Sequence, residues 1–260
     1  MIYVITHKKF NNEFTNSSFY KILHVGTNDN YENYYLLDTT GDSISSKNES
    51  YCELTGIYWL WKNALSDNGN DIVGIDHYRR YFVSRMDYLK YLYLKTDLKV
   101  ANEKCIRSAL CSHDIILPPK KQIHMTVKEF YADAHFIEDL YAARKAIEIV
   151  SPDIISSFDT VMGERFLYYA NMLICNQKVY SEYCEWLFEI LRIVEEGNDC
   201  SKYVDAYQKR VYGFLSERLL QVWVKYKKYN IYEMPVINPE EERQTILVRV
   251  KNHFKRKREK

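Results

Sequence analysis

Short apolar segments alternate with amphipathic segments along the 260 residues, and this alternation limits the fold more than any other feature. The apolar segments are rich in Ile, Val and Tyr and predict β-strands over 2–6, 21–27, 72–75, 113–119, 166–176 and 231–237. The amphipathic segments carry apolar residues at spacings of three and four, and they predict helices over 46–65, 88–110, 126–150, 179–196 and 204–226. Ser46 and Glu49 predict a capping box at the first of these helices. The pattern predicts an α/β fold with a mainly parallel central sheet flanked by helices.

The chain carries no internal repeat and only 8 Gly and 5 Pro, so we expect one domain over residues 1–238. Residues 239–260 form a basic tail, because residues 251–260 hold six Lys or Arg against one Glu. The net charge is +1 overall and +5 in these last residues, which leaves −4 for the remainder. The tail suits contact with an anionic membrane surface, or it is simply solvated. The slightly acidic remainder disfavours nucleic acid as a partner.

Several common classes of protein lack their signatures here. The amino terminus has no signal-peptide pattern, and no run approaches the roughly 18 apolar residues of a membrane span. The six cysteines include no C-x-x-C pair, which disfavours a zinc site. We therefore expect a soluble cytoplasmic protein with reduced cysteines. The absence of P-loop, G-x-G-x-x-G, G-x-S-x-G and H-E-x-x-H motifs disfavours the enzyme classes that depend on them.

Residues 72–82 read IVGIDHYRRYF, so an apolar strand leads directly into an acid, an imidazole and two guanidinium groups. In open parallel sheets, ligands bind beyond the carboxyl ends of the strands. This strand end should therefore share one rim with Thr6, His7 and Lys8, which end the first strand. The polar segment after Asn171 should face the same rim.

The chemistry of this strand end suits an anionic ligand. Arg79 and Arg80 offer planar donors that match phosphate oxygens. His77 can donate to phosphate or act as a base, and Asp76 can hold a divalent metal or a sugar hydroxyl. The alternative is structural, with one arginine paired to Asp76 and the remaining charges facing water.

Four sequence blocks, in this order, resemble those of a bacterial family of capsular and exopolysaccharide glycosyltransferases that was long labelled a domain of unknown function. The blocks are ISSKNESYCELTGIYWLWKN, GIDHYRRYF, NMLICNQKVYSEYCEWLFEIL and RVYGFLSERLLQVW. The hallmark of that family is a strand that runs into His-Tyr-Arg-Arg, which here is residues 77–80. The resemblance covers about residues 1–237.

The resemblance implies a GT-A-like fold and transfer of a hexose from a nucleotide-diphosphate sugar, foremost a UDP-sugar, to a lipid-linked glycan in capsule or exopolysaccharide biosynthesis. Galactose or galactofuranose is the candidate donor sugar. A lipid-linked acceptor implies a peripheral position at the inner face of the plasma membrane, which the basic tail would suit. A non-enzymatic module that binds glycan or nucleic acid is the alternative.

The resemblance and the strand-end rule together indicate three groups of site residues. We expect donor binding by Thr6, His7, Lys8, Tyr78, Arg79 and Arg80, catalysis by Asp76, His77 and Glu217, and acceptor binding by His135, Glu164 and Asn171. Structural roles stay open for Glu217, as an ion pair with Arg218, and for Asn171, as a buried amide. No clear D-x-D motif follows the strand IVGI, so no metal ligand is assigned, and dependence on Mn²⁺ or Mg²⁺ stays open. In the aromatic-rich first helix, Glu53 and Lys62 are the polar residues that stand out.

Overall fold

The computed structural model describes residues 1–15, 17–66, 71–94, 96–198 and 202–240. The strands are β1 (Ile2–Thr6), β2 (Tyr20–His24), β3 (Leu36–Leu37), β4 (Ile72–His77), β5 (Tyr81–Phe82), β6 (Ile115–Leu117), β7 (Lys121–Gln122), β8 (Phe166–Leu167), β9 (Ile174–Asn176), β10 (Ile231–Glu233) and β11 (Val236–Ile237). The α-helices are α1 (Asn48–Tyr51), α2 (Leu54–Asn63), α3 (Arg85–Tyr93), α4 (Glu103–Leu110), α5 (Val127–Ala134), α6 (Ile137–Val150), α7 (Ile155–Met162), α8 (Gln177–Gly197) and α9 (Val211–Lys227). No helix in these ranges is long and apolar enough to cross a membrane.

A seven-stranded sheet in the order β10-β6-β9-β4-β1-β2-β3 forms the centre of the described structure. β1 pairs in parallel with β2 on one side and with β4 on the other. β9 runs antiparallel between β4 and β6. The α/β fold with a mainly parallel sheet and flanking helices is therefore confirmed. Every residue of β1 and β4 is buried, as expected for strands that are covered on both faces.

The two faces of the sheet pack into different apolar layers, because successive side chains of a strand point to opposite sides. Ile5 and Ile75 join the larger layer, which includes buried side chains of α2, α6, α8 and α9. Val4 and Ile72 join the smaller layer, with residues of α4 and β5. Gly74 lets the strands approach closely, since a Cβ there would lie 2.4 Å from Ile2 Cδ1.

The structure corrects several predicted elements. Residues 166–176 form two short strands instead of one, because Ala170 and Asn171 adopt left-handed backbone angles (φ 75° and 49°) that interrupt the strand. The helix predicted over 126–150 is broken between α5 and α6, where the backbone of His135 is extended (φ −142°, ψ 171°). The first helix is split at Cys52 (φ 52°), and no side-chain cap closes α1, so the predicted capping box is wrong.

Two further boundaries differ from the predictions. The strand predicted over 113–119 is only the three residues of β6, and the segment 231–237 divides into β10 and β11. The last helix begins at Val211 and not at residue 204. Residues 241–260, which include most of the predicted basic tail, lie outside the described ranges. The tail therefore stays a prediction.

Candidate active site

A cavity of about 600 Å³ lies at the carboxyl ends of β1, β2 and β4. Its floor includes Ile5 and Thr6 from β1 and His77 from β4. The opposite wall comes from the break between α1 and α2 and from the first turns of α9. Seven of the twelve residues predicted from sequence line this cavity: Thr6, His7, His77, Tyr78, Arg79, Arg80 and Glu217.

A tight turn presents the His-Tyr-Arg-Arg segment to the cavity. The backbone N–H of His77 donates to Arg80 O (3.0 Å), and Arg80 N–H donates back to His77 O (2.9 Å). The N–H of Tyr78 donates to Ile5 O (3.0 Å), which fastens the turn to the end of β1. Three consecutive side chains therefore project from a fixed backbone at the rim of the sheet.

Arg79 and Arg80 are half-buried, and neither forms an ion pair with an acid in the described ranges. The guanidinium carbon of Arg79 lies 5.5 Å from the ring centre of Tyr78. The Lys8 ammonium lies 4.9 Å from the same ring, so cations gather around one aromatic platform. The charge of Arg80 does act on the carboxyl of Glu217. Partly desolvated guanidinium groups outside direct ion pairs are the donors that an anionic ligand would use.

His77 is only 8% exposed, and its Nε2 finds no hydrogen-bond partner within the described part of the chain. Burial lowers the pKa of His77 to about 3, and the neighbouring charges of Arg80 and Arg79 act in the same direction. The imidazole is therefore neutral at pH 7. A neutral, buried ring at the cavity floor can hydrogen-bond a ligand without adding positive charge.

The residues that follow β1 complete the same side of the cavity. Thr6 is buried, and its hydroxyl donates to Lys8 O (2.5 Å) and accepts from Lys8 N–H (3.2 Å), so it shapes the turn. His7 is exposed and contacts the Tyr78 ring edge-on at 5.2 Å between centroids. Partial burial of its ring, followed by the charges of Lys8 and Arg79, lowers the pKa of His7.

The carboxylates of Glu53 and Glu217 lie on the opposite wall of the cavity, which the exposed Glu49 also lines. Glu217 accepts from the backbone N–H of Ala170 (2.8 Å) through Oε1 and from Arg218 Nη1 (2.9 Å) through Oε2. Glu53 accepts from Asn171 Nδ2 (2.7 Å). Burial raises the pKa of Glu217, and the negative charge of Glu53 raises it further, whereas Arg218 and the Ala170 amide oppose this shift.

Five predicted site residues do not line the cavity. Asp76 is fully buried and adjoins Tyr20 and Tyr81 in the smaller apolar layer, opposite His77 across the sheet. Its Oδ1 accepts from Phe82 N–H (3.3 Å), Oδ2 lacks a described partner, and burial raises the pKa of this carboxyl well above its usual range. The pairing of Asp76 with an arginine, which was the structural alternative for this strand end, is absent from the described ion pairs.

The other four lie around or away from the cavity. Lys8 contacts the ring of the cavity residue Tyr78, and Asn171 donates a hydrogen bond to the cavity residue Glu53. His135 stacks on the cavity residue Phe214, with ring centres 4.0 Å apart. Glu164 binds Lys225 Nζ and Gln221 Nε2, each at 2.7 Å, so its carboxylate links α7 to α9 and does not face the site.

Sequence reasoning missed Cys52, and it singled out Glu53 without assigning it to the site. Arg210 Nε donates to Cys52 Sγ (3.2 Å), and both residues line the cavity. The available signal for Glu53 was its position as an acid directly before an apolar helix. The place of Arg210 at the cavity depends on how the segment before α9 folds onto α1.

No group of three or more His, Cys, Asp or Glu side chains within the described ranges is arranged to hold a metal ion. A metal site at the end of β4 would need Asp76, but its carboxyl lies on the other face of the sheet. The donor set at the strand end is therefore cationic and aromatic. We derive no chemical step through a metal.

The family of this chain follows from its similarity to known proteins. Residues 1–228 match the family described as domain of unknown function DUF4422. The chain belongs to the DUF4422 family. A solved structure also matches this DUF4422 chain, the apo structure of the bifunctional glycosyltransferase WbbM. The two are 28% identical with a TM-score of 0.80.

The WbbM match extends over 93% of this chain but over only 45% of that one. The DUF4422 chain thus spans less than half of the matched protein. No curated protein sequence matches the chain.

Proposed function

We propose that this DUF4422 protein is a glycosyltransferase that uses a nucleotide-diphosphate sugar. The observation that carries the proposal is the pair of half-buried arginines, Arg79 and Arg80, which lie outside the described ion pairs at the carboxyl ends of parallel strands. The likeness to a bifunctional glycosyltransferase supports the reaction class. The His-Tyr-Arg-Arg turn and its place in the sheet support a GT-A-like arrangement of the donor site.

In this proposal, the diphosphate binds Arg79 and Arg80. Guanidinium groups form bidentate, charge-assisted hydrogen bonds to phosphate oxygens, and they are well suited to stabilise the charge that grows on a departing diphosphate. The residues after β1, together with Tyr78, face the nucleoside. Uridine is the base that the sequence resemblance favours.

The floor and far wall of the cavity then face the sugar. His77 is neutral, so its imidazole hydrogen-bonds the donor and does not transfer a proton as a cation. Glu217 has both oxygens engaged, which makes it a fixed acceptor for sugar hydroxyls. Asp76 and Glu164 are left out of the proposed site because their carboxylates lie away from the cavity. His135 supports Phe214 from behind.

The remaining parts of the proposal rest on the sequence resemblance. The donor is a UDP-hexose with galactose or galactofuranose, and the acceptor is a lipid-linked glycan of capsule or exopolysaccharide. Residues 1–238 act as one domain, and the basic tail contacts an anionic membrane surface at the inner face of the plasma membrane.

Thermal unfolding with nucleotide diphosphates and nucleotide sugars tests the donor site, with and without Mn²⁺ or Mg²⁺. A ligand at 100 times its Kd stabilises the folded state by about 2.7 kcal/mol. UDP should raise the melting temperature, and release of UDP from a UDP-hexose should follow when an acceptor glycoside is added. If no nucleotide shifts the transition, the proposal is wrong. A shift without any nucleotide release under these conditions would favour a non-enzymatic binding module.

A further inference from the structure

The left-handed turn at Ala170 and Asn171 contacts the carboxylates of Glu53 and Glu217. The Ala170 backbone N–H donates to Glu217, and the Asn171 side chain donates to Glu53. Both residues have positive φ (75° and 49°), a conformation that costs a non-glycine residue about 1 kcal/mol or more. This strained turn fixes the carboxylates of two elements, α9 and the break before α2, relative to each other.

The hydrogen bonds define the orientation of the Asn171 amide. Its Nδ2 donates to Glu53 Oε1 (2.7 Å) and to Gly213 O (3.2 Å), and both of these atoms are acceptors, so the nitrogen must face them. Asn171 is 1% exposed, and its Oδ1 has no partner in the described ranges. The Asn171 amide nitrogen is therefore fixed towards Glu53, and its hydrogen bond holds Glu53 Oε1 in place.

The two carboxylates differ in their remaining capacity to accept a proton. Both oxygens of Glu217 are engaged, by the Ala170 amide and by Arg218. Glu53 has one oxygen held by Asn171, whereas its Oε2 has no hydrogen-bond partner within the described ranges. Glu53 is only partly buried and lines the same cavity as Arg79 and Arg80.

We propose that Glu53 is the catalytic base of the transfer and that Asn171 is its positioning residue. This inference rests on the proposed function and names the acceptor group as a sugar hydroxyl of the glycan. The hydroxyl proton passes to Glu53 Oε2, and the oxygen lone pair forms the new bond to the anomeric carbon. The bond from that carbon to the diphosphate breaks, and its electron pair leaves on the nucleoside diphosphate, which faces Arg79 and Arg80.

The test compares Glu53→Gln with Glu103→Gln in the full chain. Glu103 lies on α4 outside the cavity, is exposed and pairs with Arg107 at 2.7 Å, so it is a control. UDP release from UDP-galactose and UDP-galactofuranose is measured with octyl β-galactoside as acceptor, alongside the thermal shift with UDP. Glu53→Gln should lower kcat about 10²- to 10⁴-fold, as expected for loss of a general base, with the UDP shift unchanged. Glu103→Gln should stay within about twofold of wild type, because it lies outside the cavity and its exposed pair contributes little.

A second variant tests the role of Asn171. Asn171→Ala should lower kcat, because it frees the Glu53 carboxylate, while donor KM stays unchanged. Glu53→Asp should recover part of the rate of Glu53→Gln, since a carboxylate returns.

Four results would overturn this inference. The first is a Glu53→Gln variant that keeps more than a third of the wild-type kcat. The second is loss of the UDP thermal shift in Glu53→Gln, which would make Glu53 a donor-binding or structural residue. If wild type binds UDP but Glu217→Gln alone loses the rate, the base is Glu217. If the wild-type protein neither binds UDP nor releases it from a UDP-sugar, both the inference and the proposed function are wrong.

Discussion

Replacing Arg79 or Arg80 with Ala is the sharpest perturbation of the proposed donor site. Neither guanidinium forms an ion pair in the described ranges, and Glu217, on which the charge of Arg80 acts, keeps its pair with Arg218 when Arg80 is removed. The variants should therefore fold with a melting temperature close to that of wild type. Because both arginines lower the pKa of His77, we also expect that pKa to rise in either variant.

The expected loss of affinity follows from the number of hydrogen bonds removed. A hydrogen bond to a charged group contributes about 1.5–3 kcal/mol, so loss of one arginine–phosphate contact should raise the Kd for UDP about 10- to 150-fold. At a UDP concentration of 100 times the wild-type Kd, the stabilisation of wild type is about 2.7 kcal/mol. It falls to about 1.4 kcal/mol for a tenfold weaker variant and to about 0.4 kcal/mol for a hundredfold weaker one.

Isothermal titration and thermal unfolding with UDP measure these differences directly. Arg85→Ala is the matched control, because Arg85 is exposed outside the cavity, and its side-chain contact within the described ranges is with the Tyr232 ring, at 5.5 Å. It should bind UDP as wild type does. If Arg79→Ala and Arg80→Ala both keep full UDP affinity while wild type binds UDP, the assignment of the diphosphate to this turn is refuted.

Three other predictions concern stability, pH and the tail. Gly74→Ala should lower the free energy of unfolding by about 1–3 kcal/mol in urea titrations, because the new Cβ would overlap Ile2 and Ile174. An unchanged urea midpoint would contradict the close packing of the strands at Gly74. The pKa of His77 is about 3 when folded and about 6.5 when unfolded, so the unfolded chain binds more protons between these values. The stabilising contribution of the neutral His77 ring is present above pH 6.5 and is lost towards pH 3, by at most about 1.4 kcal/mol per pH unit. His77→Gln should therefore flatten the pH dependence of the free energy of unfolding. A His77 ring that titrates near pH 6.5 by NMR would contradict this prediction. A chain that ends at residue 240 should sediment less with vesicles containing phosphatidylglycerol than the full chain, with an equal UDP shift; equal sedimentation of both chains would argue against the tail as a membrane contact.

Much of the central sheet could be predicted from local composition. The apolar run of β1 gave correct boundaries, and β4 was found although its last two residues are polar. The short strands β8 and β9 were merged in the prediction, because the pattern FLYYANMLICN remains apolar through the left-handed turn. Backbone angles at Ala170 and Asn171 depend on contacts with Glu217 and Glu53, and no local pattern records them.

The candidate site also contains residues that the sequence could place and residues that it could not. The strand-end rule placed Thr6, His7 and residues 77–80 at one rim, and the structure brings them together. Asp76 and His77 looked equally suited from the sequence. Adjacent residues of a strand point to opposite faces, and only the packing of the helices decides which face stays open. The open face is that of His77.

The sequence by itself determined the α/β class and the cationic segment of residues 77–80. It also placed the polar residues that follow the predicted strands at one rim of the sheet. These features depend on local periodicity and on a rule that holds for all such sheets. Only the tertiary structure decided which carboxylates face that turn. Glu53 and Glu217 are far apart in the sequence, and they meet because α1, α9 and the Ala170–Asn171 turn pack against one another.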